Sequence, residues 1–181
     1  MTKFFLFLIT LTFASLTSEA QLYKTESGSV VFISKVPLHS FEGKSNYLNG
    51  AIDLSSKTVD FYIDLETLDT GNGKRDKDMR LTLDTKKYPF AEFYGNLVSN
   101  FDSTSTQVQI VQVQGVFKIH GKEQEIMVDG TLQKNTDGLI LKANWILNLL
   151  DYDIIPPKLL IIKVDENQEV NIEAILKNSP N

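Results

Sequence analysis

An all-β fold, closed into a barrel or stacked as a sandwich, is predicted by three observations. Four stretches alternate apolar and polar residues at a period of two, they follow a stretch shaped like an export signal, and the chain contains no cysteine. Val59, Phe61, Ile63 and Leu65 share one strand face, while Asp60, Tyr62 and Asp64 share the other. The pattern returns in Ile126, Val128, Gly130 and Leu132, in Leu139, Leu141, Ala143, Trp145, Leu147 and Leu149, and in Val170, Ile172, Ala174 and Leu176. An antiparallel sheet with one dry face must close on itself or pack against a second sheet. Alternation alone does not separate the two.

The elements follow in chain order. Lys3 precedes the apolar run Phe4 to Leu16, and Ser18-Glu19-Ala20 ends it with small residues where a signal peptidase reads, so residues 1–20 are expected to be a cleaved signal peptide. The run is too short for a permanent transmembrane helix, and without cysteine a lipoprotein anchor is not expected. Residues 21–181 then read as one domain, exported to the periplasm or the medium. Val30 to Val36 is β-branched and ends at Pro37 as a first strand. Tyr47 to Leu54 and Thr58 to Leu68 form a hairpin across Ser55-Ser56-Lys57.

Between Asp69 and Pro89 the pattern changes. Lys74 to Leu83 is rich in helix formers, with Met79 and Leu83 four apart, and predicts a short helix lying as a lid or plug. Ala91 to Ser99 resumes a strand. Gln107 to Ile119 changes phase, with Val108 and Ile110 on one face and Val111, Val113, Gly115, Phe117 and Ile119 on the other, which predicts a β-bulge near Ile110-Val111. Turns at His120-Gly121-Lys122 and Asn135-Thr136-Asp137-Gly138 complete a meander through Lys134 and Leu150. Leu159 to Val164 and Glu169 to Lys177 follow the break at Pro156-Pro157. About eight strands result, the number at which a closed barrel can hold one small ligand.

Composition narrows the function classes. A net charge of −5 is a poor match for nucleic acid. Neither His39 nor His120 sits in a catalytic motif, and no GxSxG, HExxH or phosphate-cradling loop occurs, so enzymatic activity is not expected. Asp76 and Asp78 share their helix with Lys74, Arg75, Lys77 and Arg80, which favours mutual neutralisation over a metal site. The sharper reading of that cluster is that Arg75 or Arg80 reaches over a cavity mouth to a polar head group, because guanidinium donates in a fork. Trp145, Phe61, Ile63, Phe93, Phe117 and Leu147 read equally well as core filler or cavity wall.

Four segments carry a family resemblance. Arg75-Asp76-Lys77-Asp78-Met79-Arg80, Lys87-Tyr88-Pro89-Phe90-Ala91-Glu92-Phe93, Val113 to Lys122 with its paired glycines, and Leu150-Asp151-Tyr152-Asp153-Ile154 resemble, in order and spacing, the YceI-like, polyisoprenoid-binding family of secreted bacterial proteins. The chain departs where that family has a histidine, here Asp78, and an arginine, here Leu149. The resemblance implies an eight-stranded, lipocalin-like antiparallel barrel with the short helix near one end. It also implies an apolar pocket for a long amphiphile such as an isoprenoid quinone, a polyprenyl phosphate or a fatty-acid derivative. Phe61, Ile63, Phe93, Phe117, Trp145 and Leu147 are then expected on the wall, with Arg75 and Arg80 at the head group. The expected partner is a lipophilic small molecule, with no cofactor, metal, nucleic acid or stable membrane anchor, and a homodimer is left open. The rival reading is a structural or interaction module with a filled core.

Overall fold

Period-two alternation, once laid into strands, leaves a row of inward apolar side chains that only closure can keep dry. The structure, a computed structural model, describes residues 21–36, 39–156, 158–159 and 162–179. The proposed signal peptide at residues 1–20 lies outside the described residues, as do Pro37 and Leu160–Ile161. Seven long strands come first: β1 (Leu22–Val36), β2 (His39–Asp53), β3 (Thr58–Asp64), β4 (Phe90–Leu97), β5 (Gln109–Ile119), β6 (Lys122–Lys134) and β7 (Gly138–Asn148). A small hairpin of β8 (Lys158–Leu159) and β9 (Ile162–Lys163) precedes β10 (Asn167–Asn178), and one helix, α1 (Gly73–Leu83), stands between β3 and β4. The sheet closes in the order β1-β10-β7-β6-β5-β4-β3-β2, every neighbour antiparallel. Alternation alone left barrel and sandwich open; the structure is the eight-stranded antiparallel barrel that the family resemblance implied. Among the described residues no helix is long and apolar enough to cross a membrane.

The hairpins follow from local chemistry. His120 and Gly121 both have positive φ, 55° and 73°, the signature of a two-residue turn whose twist matches its strands. A Cβ at Gly121 would lie 2.5 Å from the Tyr88 ring, so glycine also lets that ring close over the turn. At the β2–β3 turn the Asp53 carboxylate accepts from the amides of Ser55 (2.8 Å) and Ser56 (3.3 Å).

Three expectations need correction. β5 pairs with β6 without interruption from Gln109 opposite Leu132 to Ile119 opposite Lys122, so no bulge occurs at Ile110-Val111. Ile110, 80% exposed, is an apolar residue on the solvent face, and reading it as inward produced a false phase change. The irregularity lies in β1, where the pairing shifts between Thr25 and Val30 and the strand bends. β1 and β2 begin well before Val30 and Tyr47, because inward positions there carry Thr25, Gly28, Gly43 and Ser45 instead of large apolar side chains. Finally, the stretch from Leu159 to Val164 contributes no barrel strand, only the small β8–β9 hairpin.

The interior divides into two halves. At the end remote from α1, the side chains of Ile52, Val111, Leu132, Leu139 and Leu176 are almost wholly buried and fill the lumen. Leu139 and Leu176 stand opposite one another across β7 and β10, and Leu132 opposite Leu141 across β6 and β7. At the other end α1 lies against the lumen through Met79 and Leu83.

α1 is held there by a polar harness. Asn72 caps it by accepting from the amides of Lys74 and Arg75, both at 3.1 Å, and Asp84 ends it in the left-handed conformation with φ 47°. The loop before it is pinned to β2 by a reciprocal pair of backbone bonds between Lys44 and Asp69, each 2.9 Å. Asp76 is the centre of the harness: it accepts from the Thr70 amide at 2.9 Å and the Thr70 hydroxyl at 2.5 Å. Burial pushes its carboxyl up, but the Thr70 hydrogen bonds and the charges of Arg80 and Arg75 outweigh burial and hold it below the ordinary value of 3.8.

Two outcomes are expected. Leu139→Ala in the filled half should cost about 2–5 kcal/mol in urea unfolding, and more than Leu147→Ala, whose side chain borders space on one side. Because the Asp76 pKa is lowered in the folded state, its stabilisation is complete above 3.8 and is lost as pH falls through the depressed value. The melting-temperature gap between wild type and Asp76→Asn should therefore be widest at neutral pH and shrink on acidification below 3.8.

Candidate functional site: the hollow half of the barrel

The half of the lumen beneath α1 encloses a cavity of about 220 Å³. All six side chains named from sequence, Phe61, Ile63, Phe93, Phe117, Trp145 and Leu147, line it, together with Val30, Phe32, Leu48, Leu141, Ala143, Val170 and others. None of the five residues that fill the remote end does. The helix contributes one face, Arg75, Asp78, Met79, Thr82 and Leu83, at the spacing that places residues on one side of α1. Outward-facing Tyr62 and Glu92 also border the cavity, so it reaches the surface between α1 and the near ends of β3 and β4.

The space survives because large rings lean along the wall rather than across the lumen. Phe32 stands opposite Gly43 and Phe61 opposite Gly50. A Cβ at Gly43 would lie 2.2 Å from Phe32, and one at Gly50 would lie 2.1 Å from Phe61, so each ring occupies the room its glycine partner vacates. On the facing wall, Phe117 meets Trp145 edge-on at 5.6 Å and Tyr152 at 5.7 Å. These contacts fix the aromatic wall in one arrangement.

The polar groups at the cavity are few. Arg75 lies with its guanidinium 4.4 Å from the centre of the Phe41 ring and donates from Nη2 to the Thr70 carbonyl at 2.9 Å. Arg80, the second head-group candidate, does not line the cavity: its Nε stands 3.2 Å from Glu66 and its Nη2 donates to the Glu66 carbonyl at 3.1 Å. Asp78 is paired with Lys74 at 2.6 Å and Glu92 with Lys118 at 2.8 Å. Among the described residues four buried polar atoms have no hydrogen-bond partner: at the cavity the Ser34 hydroxyl, Trp145 Nε1 and Arg75 Nε, and away from it Arg80 Nε, which keeps its ion pair with Glu66. Leaving such a group unsatisfied costs about 1–3 kcal/mol, so each of those at the cavity marks a place where an acceptor would be welcome. Ser34 is entirely buried and pairs across the sheet with Phe41 on one side and Gln168 on the other, all three bordering the cavity.

The remaining titratable groups are structural. Burial and the Asp151 charge push the Tyr152 phenol up to about 12, so it stays neutral at any working pH. His120 Nδ1 lies 3.1 Å from the Tyr152 carbonyl and its ring stands edge-on to Tyr88 at 5.3 Å, outside the cavity. Among the described residues no group of three or more His, Cys, Asp or Glu is placed to hold a metal ion.

Phe32, Phe41, Ser34 and Gln168 were not singled out from sequence. Ser34 had a usable signal: it continues the inward phase of Val30 and Phe32 and is a polar residue on a dry face. The ring-over-glycine pairs had none, because they depend on the β1–β2 and β2–β3 registers.

Comparison with known proteins agrees with this architecture. The YceI-like domain model matches residues 23–176. No curated protein matches the chain in sequence. Among solved structures, a polyisoprenoid binding domain from Saccharophagus degradans implicated in plant cell wall breakdown superposes with a TM-score of 0.74 at 15% identity, covering 89% of this chain and 100% of that one. BcnA of Burkholderia cenocepacia gives 0.67 at 16% identity over 82% and 94% of the two chains. The YCEI protein of Campylobacter jejuni gives 0.56 at 16% identity over the full length of both. These similarities are to the fold. With the closed eight-stranded barrel, its helix at one end and a family match spanning nearly the whole described chain, this protein belongs to the YceI-like domain family.

Proposed function

We propose that this protein is an exported, non-enzymatic binding protein that holds a long-chain amphiphile in its barrel for sequestration, transport or storage. The carrying observation is the apolar cavity of about 220 Å³ in the barrel interior beneath α1, bordered at the surface by Tyr62 and Glu92. A filled-core interaction module would have no use for such space. The resemblance of the fold to a polyisoprenoid binding domain supports the same class of ligand. Isoprenoid quinones, polyprenyl phosphates and fatty-acid derivatives all belong to it.

Energetics favour a long chain. Each buried methylene contributes about 0.8 kcal/mol, against an association cost of roughly 4–15 kcal/mol, so roughly 5–19 methylenes are needed to break even. The six aromatic and aliphatic wall residues supply that burial. Arg75, at the rim, is placed to orient a polar end, whereas Arg80 is committed to Glu66.

Trp145 is the single tryptophan of the chain and borders the cavity, so its emission reports occupancy directly. Titration with a long-chain lipid should shift or quench that emission. Ala143→Phe, which places a ring in the cavity, should abolish the response while leaving the circular dichroism of the barrel intact. Absence of any response to prenyl and fatty-acid lipids, together with bare protein in native mass spectrometry after mild purification, would overturn the proposal.

A further inference from the structure

We infer that the cavity selects a neutral lipid carrying a carbonyl-type hydrogen-bond acceptor inside the barrel, received by the Ser34 hydroxyl and Trp145 Nε1, over an anionic phosphate or diphosphate held at the rim. This rests on the binding function proposed above and specifies its ligand class.

Two independent observations lead to it. The first is the set of unsatisfied groups: Ser34 Oγ, Trp145 Nε1 and Arg75 Nε are all buried without a partner. Indole and guanidinium nitrogens only donate, and a hydroxyl can donate as well as accept, so an acceptor is the one kind of partner that serves all three. A purely hydrocarbon tail offers these groups nothing. An acceptor embedded in the lipid satisfies them where they stand. The register places Ser34 and Trp145 in adjacent layers of the wall: Ser34 is opposite Gln168 on β10, and Trp145 on β7 is opposite Val170, one inward position deeper. The acceptor therefore enters the lumen instead of remaining at the surface.

The second observation is charge. The charged residues bordering the cavity are Arg75, Asp78 and Glu92, more acid than base. Asp78 and Glu92 are each neutralised by a lysine, Lys74 and Lys118. The positive charge of Arg75 already acts on neighbouring Asp76, and that of Arg80 is spent on Glu66. Within the cavity lining one guanidinium, already engaged by Asp76, faces two carboxylates, so a dianion entering the cavity would be desolvated beside more negative than positive side chains.

The test uses three lipids of equal chain length, heptadecane, heptadecan-2-one and heptadecyl phosphate, displacing an environment-sensitive anilinonaphthalene probe from the full chain. The ketone is expected to bind at least about fivefold more tightly than the alkane and more tightly than the phosphate at neutral pH. Ser34→Ala and Trp145→Phe should each lower the ratio of ketone to alkane affinity measured on the same variant. Ser34→Ala should also melt no lower than wild type, since its hydroxyl has no partner in the fold to lose. Equal affinity for alkane and ketone, tighter binding of the phosphate, or a ketone preference untouched by both variants would overturn this inference and leave the barrel's binding function standing. Binding of none of the three would overturn both.

Discussion

Closure of the sheet is the constraint on which the rest depends. Each of the eight barrel strands hydrogen-bonds two neighbours, β1 to β10 included, so no inward residue can turn to solvent without breaking the register. A protein without cysteine has no disulfide to compensate for a poorly sealed sheet. The cavity is tolerable because the remote end is densely packed. Stability is concentrated in one half of the barrel, and the other half is released from filling itself.

That division explains the role of α1. Its sequence is too polar to be a core helix, and Leu81 is largely exposed. It is placed instead by Asn72, Asp76, Thr70 and the Lys44–Asp69 backbone pair, polar contacts that fix its position without requiring its underside to pack densely. A hydrophobically docked helix would push its side chains into the lumen. A polar harness lets Met79 and Leu83 roof the cavity and leaves space beneath them.

Much of this was legible in the sequence where alternation was strict. β3, β6, β7 and β10 were found from Val59, Ile126, Leu139 and Val170 onward, and α1 within a residue, because in each of them the inward phase is apolar and the boundaries carry turn or cap chemistry. β1 and β2 were shortened because Thr25, Ser27, Ser40 and Ser45 break the pattern while the backbone continues. Ile110 misled for the opposite reason, an apolar residue on the wet face. Whether the interior was hollow could not be read at all: an inward phenylalanine has the same sequence signature whether it crosses the lumen or lies along the wall. The difference is made by which residue stands opposite, and Gly43 and Gly50 acquire that meaning only once the strands are paired.

The packed plug of Ile52, Val111, Leu132, Leu139 and Leu176 makes the barrel a blind tube. Under the proposed function, a ligand that entered beside α1 would leave by the same door and back out the way it came, so one end of it would always trail toward the opening. Hand-over to an acceptor would then require this one rim to face it, and the protein's orientation, rather than a passage through its centre, would govern delivery.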